Sequence, residues 1–318
     1  MKTEFKVAVA QVSPTHDNVA MLGKISAFSS EAAENGAELV LFPETLIGGY
    51  PRGGGFGVVV GSRSDAGRDE YQRYFEQAID LHGAESAELA RIAAQYKVYL
   101  VVGVIERDGG TLYCTAVFYS PDGQCMGKHR KLMPTAAERL IWGFGNGSTM
   151  PVFDTPLGRL GAVICWENYM PLLRAAHYAK GIELYCAPTA DGRDTWVPTM
   201  RHIAIEGRCF VLSASQFARR SHYPEVHGNV SPNSDDVVSR GGSCIIDPFG
   251  KVLAGPAFEG EVVLVAQIDR RMIVRGKFDF DATGHYARPD VFRLLVNESD
   301  TPAVLFGADW DPHVPLPA

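Results

Sequence analysis

Cys165 is the residue whose type and setting best fit a catalytic nucleophile. It ends an apolar run, residues 162–164, and polar and aromatic residues follow it at once in the segment GAVICWEN, residues 161–168. This pattern predicts a short buried strand and then a turn that opens a helix near Pro171. A thiol at a strand end is held rigidly and faces a cleft, where backbone N–H groups of the turn can meet negative charge that develops on a substrate. The alternative is a buried cysteine that packs as a small hydrophobic residue.

Glu44 and Lys131 lie at the ends of two further predicted strands. Residues 38–42 are predicted to form a buried strand that proline closes, so the carboxylate of Glu44 lies at the C-terminal end of a strand, where ligands of open α/β sheets collect. Lys131 ends a strand that returns from a turn at residues 120–123. Taken alone, Glu44 could be a solvated loop acid and Lys131 a surface lysine. Together with Cys165, they supply the base, the fixed cation and the nucleophile that hydrolysis through a thioester requires.

The rest of the chain alternates strands with helices. Glycine and aspartate at residues 108–110 predict a hairpin, and the same succession of strand, turn and return strand recurs at residues 244–254. The alternation favours α/β layers over an all-β sandwich, and the two similar hairpins indicate two sheets. The predicted helices cover residues 18–35, 69–81, 84–96, 171–180, 198–208 and 269–274, and the other strands cover residues 5–12, 98–106, 111–120, 182–187, 209–215 and 261–268.

Size and charge narrow the function classes. The chain has 318 residues, more than most single domains contain, although large one-domain α/β folds reach this size. Its net charge is −7 at pH 7, which argues against nucleic acid or an anionic membrane as the partner. No apolar stretch reaches the roughly 18 residues of a membrane span. The N-terminal residues alternate like a strand and do not resemble a targeting segment.

Several common site types are absent from the sequence. The nine histidines form no HExxH motif, and no GxSxG motif is present, so we expect no metal site, no cofactor and no serine nucleophile. The glycine-rich segment 48–61 lacks the Gly-Lys-Ser/Thr ending of a phosphate-binding loop and is interpreted as a mobile loop over a cleft. The six cysteines include no CxxC pair, which, without an export signal, favours reduced thiols in the cytoplasm.

These motifs, in this order, resemble the nitrilase superfamily of carbon-nitrogen hydrolases and, within it, the nitrilase branch. Together they span most of the chain. Trp-Glu-Asn after the cysteine is typical of nitrilases, whereas amidase relatives more often carry other residues there. The segments that carry the resemblance are FPE at 42–44, HRKLMPT at 129–135, ERL at 138–140 with WG at 142–143, CWEN at 165–168 and, more weakly, DPFG at 247–250 and GHYARPD at 284–290.

The resemblance implies an α/β fold of the α-β-β-α sandwich type, with two central sheets flanked by helices. It also implies a Glu-Lys-Cys triad, which falls on Glu44, Lys131 and Cys165. A second glutamate used by many members falls on Glu138. The alternative for Glu138 is a helix-surface acid paired with a neighbour such as Arg139.

The implied reaction is hydrolysis of an organic nitrile to a carboxylic acid and ammonia. Cys165, deprotonated with help from Glu44 and Lys131, attacks the nitrile carbon to give a thioimidate. Water activated by Glu44 then releases ammonia and leaves a thioester, which a second water hydrolyses. The N–H of Trp166 and the ammonium of Lys131 hold the negative charge. The rival interpretations are an amidase or carbamoylase with the same triad, and a non-catalytic scaffold subunit that keeps the fold.

Several side chains are expected near the site, where they would favour arylaliphatic or aromatic nitriles. The alternative for the aromatic ones is a place in the core. Alanine stands at positions 136 and 137, where nitrilases often carry a polar residue, so pocket shape and substrate preference stay open among aliphatic, aromatic and arylacetonitrile substrates and cyanide. The expected pocket residues are Tyr50, Trp142, Trp166, Tyr169, Thr189, Thr195 and Trp196.

The chain is expected to divide into a hydrolase domain, residues 1–280, and a C-terminal tail, residues 281–318. Aromatic residues in and near the tail would be costly to leave in water, so the tail is expected to lie on a neighbouring subunit. The resemblance implies a homo-oligomer built from dimers, of the kind that extends into spirals or filaments. The aromatic residues concerned are Phe278, Phe280, Tyr286, Phe292, Phe306 and Trp310.

Overall fold

The structure is a computed structural model and describes residues 1–15, 17–223, 233–302 and 304. Its strands are β1 (Glu4–Gln11), β2 (Ala37–Leu41), β3 (Tyr99–Asp108), β4 (Thr111–Tyr119), β5 (Cys125–Arg130), β6 (Val152–Thr155), β7 (Gly158–Ala162), β8 (Leu184–Thr189), β9 (Phe210–Ser215), β10 (Phe217–Arg219), β11 (Val237–Ile246), β12 (Val252–Phe258) and β13 (Val262–Asp269). Its α-helices are α1 (Asn18–Glu34), α2 (Asp65–Gln77), α3 (Ala84–Tyr96), α4 (Pro171–Ala179), α5 (Trp196–Gly207) and α6 (Arg271–Asp279).

The strands form two sheets. The first has the order β13-β1-β2-β3-β4-β5, and the second has the order β10-β11-β9-β8-β7-β6, with β12 paired to β11. Within each sheet the central strands run parallel, β1 with β2 and β3, and β7 with β8 and β9. Antiparallel strands complete each sheet. The two sheets thus share the same plan of a parallel centre with antiparallel flanks.

Three buried clusters show that the layers are helix, sheet, sheet and helix. Alternate residues of β1 point to opposite faces: Val7 and Val9 lie in a core shared with Leu184 and Phe210 of the second sheet. Ala8 lies on the other face, in a core that α1 and α3 cover. A third cluster packs α4 and α5 against the outer face of the second sheet. The predicted α-β-β-α sandwich is therefore confirmed.

Both predicted hairpins are present. Asp108 pairs with Thr111 across the turn between β3 and β4, and Ile246 pairs with Val252 between β11 and β12. Other boundaries differ from the prediction: α5 begins at Trp196 and α6 continues to Asp279. Strands β6 and β10 were not predicted, because both are short and exist through pairing with neighbours rather than through an apolar pattern of their own.

The segment before Cys165 differs from its prediction as well. Strand β7 ends at Ala162, and a 3₁₀ helix, Cys165–Tyr169, begins at the cysteine itself. Val163 and Ile164 are buried but lie beyond the strand. The cysteine therefore lies in a tight turn between β7 and α4, three residues past the strand end.

The C-terminal part has little regular structure after α6. The described residues from 281 onward contain no helix or strand. Phe306 and Trp310 lie outside the described residues. The boundary at residue 280 stays a prediction. Among the helices of the described residues, none has both the length and the apolar character needed to span a membrane.

Candidate active site

The two sheets bring the predicted catalytic residues together. Glu44 follows β2 and Lys131 directly follows β5, both in the first sheet. Cys165 follows β7 in the second sheet, and Glu138 lies on a 3₁₀ helix, Ala136–Leu140. Residues far apart in the chain meet here because the two sheets pack face to face.

Lys131 lies between the two carboxylates. Its ammonium donates hydrogen bonds to Glu44 Oε1 at 2.7 Å and to Glu138 Oε2 at 2.8 Å. Lys131 and Glu44 are almost completely buried, so neither is the surface residue of the alternative interpretation. Burial of charges is costly unless they are paired, and this arrangement supplies the pairing.

The carboxylate of Glu44 is fixed from several directions. Its Oε2 accepts a hydrogen bond from the backbone N–H of Ala190 at 3.0 Å, and its Oε1 accepts one from the Cys114 thiol at 3.4 Å. Gln216 donates to the backbone carbonyl of Glu44 at 2.8 Å. The turn that carries Glu44 lies against Gly103 of β3, where a Cβ atom would be 2.4 Å from the carbonyl oxygen of Pro43. A glycine is therefore required there for the turn that carries Glu44 to pack against β3.

Cys165 has a backbone conformation that non-glycine residues rarely adopt. Its φ is +50°, a left-handed value that costs on the order of 1–3 kcal/mol and is typical of functional sites. Thr45, next to Glu44, and Ala136, near Glu138, also have positive φ. The hydroxyl of Thr189 donates to Cys165 Sγ at 3.2 Å. The strained turn aims the sulfur at the cavity described below.

The electrostatics leave the resting cysteine protonated. Burial raises the pKa of the Cys165 thiol and the negative charge of Glu44 raises it further, while the charge of Lys131 opposes both. Burial also raises the pKa of Glu44, helped by Glu138 and opposed by Lys131. Burial alone would lower the pKa of the Lys131 ammonium, but the negative charge of Glu44 opposes burial and the pKa is raised. A carboxyl with a raised pKa beside a thiol is well matched to accept the thiol proton.

Glu138 is held toward Lys131 and is not a surface acid. Its Oε2 accepts from the backbone N–H of Thr135 at 2.6 Å, and its Oε1 accepts from the Tyr50 hydroxyl at 2.8 Å. Arg139, the partner in the alternative interpretation, instead donates to the carbonyl of Pro134. Burial raises the pKa of the Tyr50 hydroxyl and the negative charge of Glu138 raises it further, so the hydroxyl stays protonated as a donor.

A cavity of about 490 Å³ opens above Cys165. Of the predicted pocket residues, Tyr50 and Trp166 line it, together with Cys165 and Glu138. Tyr50 belongs to the glycine-rich segment 48–61, which therefore forms part of the cavity wall. The lining consists of Tyr50, Arg52, Thr135, Glu138, Cys165, Trp166, Ala190, Asp191, Gly192, Arg193, Val237, Val238, Ser239 and Arg240.

The other predicted pocket residues lie beside or behind the cavity. Trp142 is buried, with its ring centre 5.5 Å from Lys131 Nζ, and the buried Thr189 contacts the sulfur. Trp196 is buried in the core of the second sheet, where it donates to Ser213 Oγ at 2.9 Å.

Tyr169 packs edge-on between two tryptophans, Trp166 and Trp196, and is half-exposed. Thr195 is exposed immediately before α5. Neither Tyr169 nor Thr195 lines the cavity. Their roles, like those of the other pocket residues, stay predictions.

Sequence reasoning missed residues that shape the cavity. Asp191 accepts from the indole N–H of Trp166 at 2.9 Å and pairs with Arg193, whose guanidinium lies 4.5 Å from the Trp166 ring centre. Cys114 and Gln216, which hold Glu44, were missed as well. Nothing in the local pattern marks Cys114 or Gln216, whereas the charged segment DGRD at residues 191–194, shortly after an apolar strand, could have been noticed. Among the described residues, no group of three or more His, Cys, Asp or Glu side chains is arranged to hold a metal ion.

Comparison with known proteins places this arrangement in a family. Residues 6–277 match the family model described as carbon-nitrogen hydrolase. A bifunctional nitrilase/nitrile hydratase of Nicotiana tabacum is 56% identical over 307 residues, covering 95% of this chain and 88% of its own length. An aliphatic nitrilase of Sinorhizobium fredii is 55% identical, with coverages of 95% and 99%. Nitrilase 1 of Arabidopsis thaliana is also 55% identical, with coverages of 96% and 90%.

Solved structures agree on the fold. A carbon-nitrogen hydrolase from Helicobacter pylori superimposes with a TM-score of 0.72 at 19% identity, covering 91% of this chain and 97% of that one. The NitFhit protein of C. elegans gives a TM-score of 0.71 at 21% identity, with coverages of 95% and 69%. The family match and the close relatives together confirm the resemblance seen in the sequence: the chain belongs to the carbon-nitrogen hydrolase family of the nitrilase superfamily.

Proposed function

We propose that this enzyme is a nitrilase that hydrolyses an organic nitrile to the carboxylic acid and ammonia, with Cys165 as nucleophile. The observation that carries the proposal is the cysteine at the cavity, backed by an ammonium that two glutamates hold at 2.7 and 2.8 Å. The names of relatives at 54–56% identity support a nitrile as the substrate.

The first half of the reaction forms a bond between sulfur and the nitrile carbon. Because the Cys165 thiol is protonated at rest, Glu44 takes its proton as the sulfur attacks. Negative charge develops on the nitrile nitrogen, where the Lys131 ammonium and the backbone N–H of Trp166 stabilise it. Glu44 gives the proton it took from the thiol to that nitrogen, which yields a neutral thioimidate on Cys165 and restores the carboxylate.

The second half consumes two water molecules. Glu44 removes a proton from the first water, which adds to the thioimidate carbon and gives a tetrahedral intermediate that carries both sulfur and nitrogen. Loss of ammonia leaves a thioester, and the second water releases the acid and restores the thiol. Loss of sulfur from the same intermediate would release an amide. Both the acid and the amide are therefore to be measured. One relative is named a bifunctional nitrilase/nitrile hydratase, which also suggests that both can form.

Glu138 is assigned to the orientation of Lys131, and Tyr50 and Trp166 to contact with the substrate. Glu138 anchors the ammonium alongside Glu44, and the hydroxyl of Tyr50 donates a hydrogen bond to Glu138. Tyr50 and Trp166 are aromatic and line the cavity, which supports substrates with an apolar or aromatic group next to the nitrile.

The test is product analysis of purified protein with a panel of nitriles and their matching amides, with Cys165→Ala as the control. We expect ammonia together with acid, or acid and amide, from nitriles, and no product from the variant. Turnover of amides alone would reassign the enzyme as an amidase or carbamoylase. Absence of turnover on both panels, with a Cys165 that iodoacetamide does not alkylate, would favour a non-catalytic scaffold.

We also propose that the chain forms a homo-oligomer built from dimers. Apolar side chains in α6 and in the tail are strongly exposed in the single chain, among them Phe278 at 87%, Phe292 at 78% and Leu295 at 92%. Such a surface is typical of an interface. Light scattering on the purified protein tests the proposal, and a monomer at micromolar concentration would contradict it.

The six free cysteines support a reducing compartment such as the cytoplasm.

A further inference from the structure

Glu167 and His129 form a buried ion pair directly behind the reacting groups. Glu167 lies on the 3₁₀ helix that begins at Cys165, and His129 lies on β5 two residues before Lys131. His129 Nε2 and Glu167 Oε2 are 2.9 Å apart, and both side chains have no exposure to solvent. The reaction described above uses neither residue.

The hydrogen bonds fix the charges of this pair. His129 Nδ1 lies 2.7 Å from the carbonyl oxygen of Thr149, and a carbonyl only accepts, so Nδ1 carries a proton. A neutral ring would then turn the bare lone pair of Nε2 toward a carboxylate oxygen, which is repulsive. Protonated at both nitrogens, the ring donates to both partners. Although burial alone favours the neutral ring, the charge of Glu167 raises the pKa of His129.

The carboxylate of Glu167 also accepts two backbone hydrogen bonds, one from each of the segments that carry reacting groups. Its Oε2 accepts from the N–H of Ile164, the residue before Cys165, at 2.9 Å. Its Oε1 accepts from the N–H of Leu132, the residue after Lys131, at 2.6 Å. One side chain therefore contacts the immediate neighbours of both the nucleophile and the cation.

These two segments belong to different sheets. The backbone N–H of Lys131 donates to Cys114 within the first sheet, and that of Val163 donates to Cys186 within the second. The hydrogen bonds of Glu167 to Leu132 and His129 cross between the sheets, and its hydrogen bond to Ile164 fixes the carboxylate on the segment of Cys165. A small slip of one sheet against the other would change the separation of sulfur and ammonium, and a misplacement of about 1 Å can cost about 10²-fold in rate.

We propose that Glu167, held by the His129 imidazolium, is a positioning residue that fixes the segment of Cys165 relative to the segment of Lys131. The proposal rests on the roles given to Cys165 and Lys131 in the proposed function. An imidazolium partner suits this task because it uses one lone pair of Oε2 and leaves the other for Ile164, with Oε1 left for Leu132.

Glu167→Gln removes one of the two backbone hydrogen bonds whichever way the amide group turns. With its NH₂ toward His129, the glutamine can donate to a neutral ring and accept from Leu132, but Ile164 N–H loses its acceptor. Turned the other way, it leaves Leu132 N–H without an acceptor. The variant has nearly the same shape as the wild type, so it tests the two backbone hydrogen bonds of Glu167 rather than the packing.

The experiment measures kcat and KM for a nitrile that the wild type hydrolyses, and the rate constant of Cys165 alkylation by iodoacetamide. For Glu167→Gln we expect kcat to fall about 30- to 100-fold with KM changed less than about threefold, and alkylation to slow. Glu167→Asp keeps the charge but is one methylene too short to reach both amides, so we expect kcat to fall in this variant too. Full activity in Glu167→Asp would mean that the charge matters and the positioning does not, which overturns the proposal.

Glu106→Gln is the matched control. Glu106 is equally buried and pairs with Arg130, the residue next to Lys131, but its hydrogen bonds are to the side chains of Thr115, Lys128 and Arg130. For Glu106→Gln we expect a loss of thermal stability comparable to that of Glu167→Gln, but a kcat within about threefold of wild type. This result would separate positioning from general destabilisation.

The outcomes of the proposal and of the proposed function are distinguishable. A folded Glu167→Gln protein whose kcat and alkylation rate match those of wild type would overturn the positioning role. So would a loss of kcat no larger than that of Glu106→Gln. If the wild type hydrolyses no nitrile, the proposed function fails, and the alkylation rates of the same variants still decide the positioning role. If Glu167→Gln does not fold, Glu167→Asp and His129→Gln are measured in the same way.

Discussion

Two buried glutamates pair with consecutive basic residues at the end of β5, but the charges around the two carboxylates differ. Glu44 pairs with Lys131, and Glu106 pairs with Arg130. Glu44 shares its single cation with Glu138, whereas Glu106 accepts hydrogen bonds from two cations, Arg130 and Lys128. One cluster has too few positive charges for its carboxylates, and the other has enough.

The pKa values of the two carboxyl groups move in opposite directions. Burial raises the pKa of both, but at Glu106 the hydrogen bonds of Arg130 and Lys128 outweigh burial and the pKa is lowered. At Glu44 burial prevails, since the help of Lys131 is offset by the charge of Glu138, and the pKa is raised. The comparison teaches that the ratio of cations to carboxylates decides whether the pKa of a buried carboxyl group is raised or lowered.

The largest expected difference between the clusters is in activity after removal of each carboxylate. Glu44→Gln should lower kcat by about 10²–10⁴-fold, because the glutamine cannot accept the thiol proton. Glu106→Gln should leave kcat within about threefold of the wild-type value. Steady-state kinetics on a nitrile substrate measure both. More than about a tenth of wild-type kcat in a folded Glu44→Gln protein would contradict the role of Glu44 as base.

The next largest difference in kcat is expected when each of the two neighbouring basic residues is replaced by the other basic residue type. Lys131→Arg should lower kcat by about 10²–10³-fold, since a planar guanidinium cannot replace a compact ammonium between two carboxylates. Arg130→Lys keeps a charge beside Glu106 and should reduce kcat less than about threefold. Kinetics of the two variants, with circular dichroism to verify folding, provide the test. Near-normal turnover in Lys131→Arg would remove Lys131 from the proposed reaction.

The losses of stability should have the reverse order from the losses of activity, with the larger loss of stability in Glu106→Gln. Glu106→Gln removes charged hydrogen bonds from Arg130 and Lys128 and should lower the free energy of unfolding by about 1–3 kcal/mol. The cost stays moderate because Lys128 reaches solvent and Arg130 keeps Asp108 as a partner. Urea unfolding measures the change. An unchanged midpoint would show that the Glu106 cluster adds no net stability.

The His129–Glu167 pair should contribute less to the free energy of unfolding than the Glu106 cluster. Its contribution should depend on pH, because His129 can lose its proton whereas Arg130 cannot. The pKa of His129 is raised on folding, so the stability gained from the imidazolium is complete below about pH 6.5. That stability is lost as the pH rises through the raised value. Near the ring, His177 has a pKa lowered to about 4 by burial and is neutral, and the charge of Lys180 opposes protonation of His129.

The measurement is the unfolding free energy of wild type and His129→Gln from about pH 6 to about pH 9. The glutamine can still donate to Glu167 but does not titrate. We expect the advantage of wild type over the variant to shrink as the pH rises. A constant difference would mean that His129 is not an imidazolium in the folded protein.

Much of the fold could be predicted from the sequence because its signals are local. Helix α3 and both hairpins follow from apolar spacing and turn residues, and the structure has them where they were predicted. Strand β6 and the 3₁₀ helix at Cys165 could not be predicted in this way. The first depends on pairing with β7, and the second depends on a left-handed conformation that only surrounding structure can impose.

By itself, the sequence determined the two-sheet α/β architecture and, through the motifs around Glu44, Lys131, Glu138 and Cys165, the family. Those motifs are contiguous, so their residue types and order can be recognised without coordinates. Only the tertiary structure decided which side chains are partners. Cys114, Gln216 and the Glu167–His129 pair act across strands or between sheets, and hydrogen bonds over such distances in the chain leave no periodic pattern in the sequence. The charge balance that raises the pKa of Glu44 and lowers that of Glu106 is likewise a property of burial and packing, because the electrostatic free energy of a carboxylate depends on its surroundings in space.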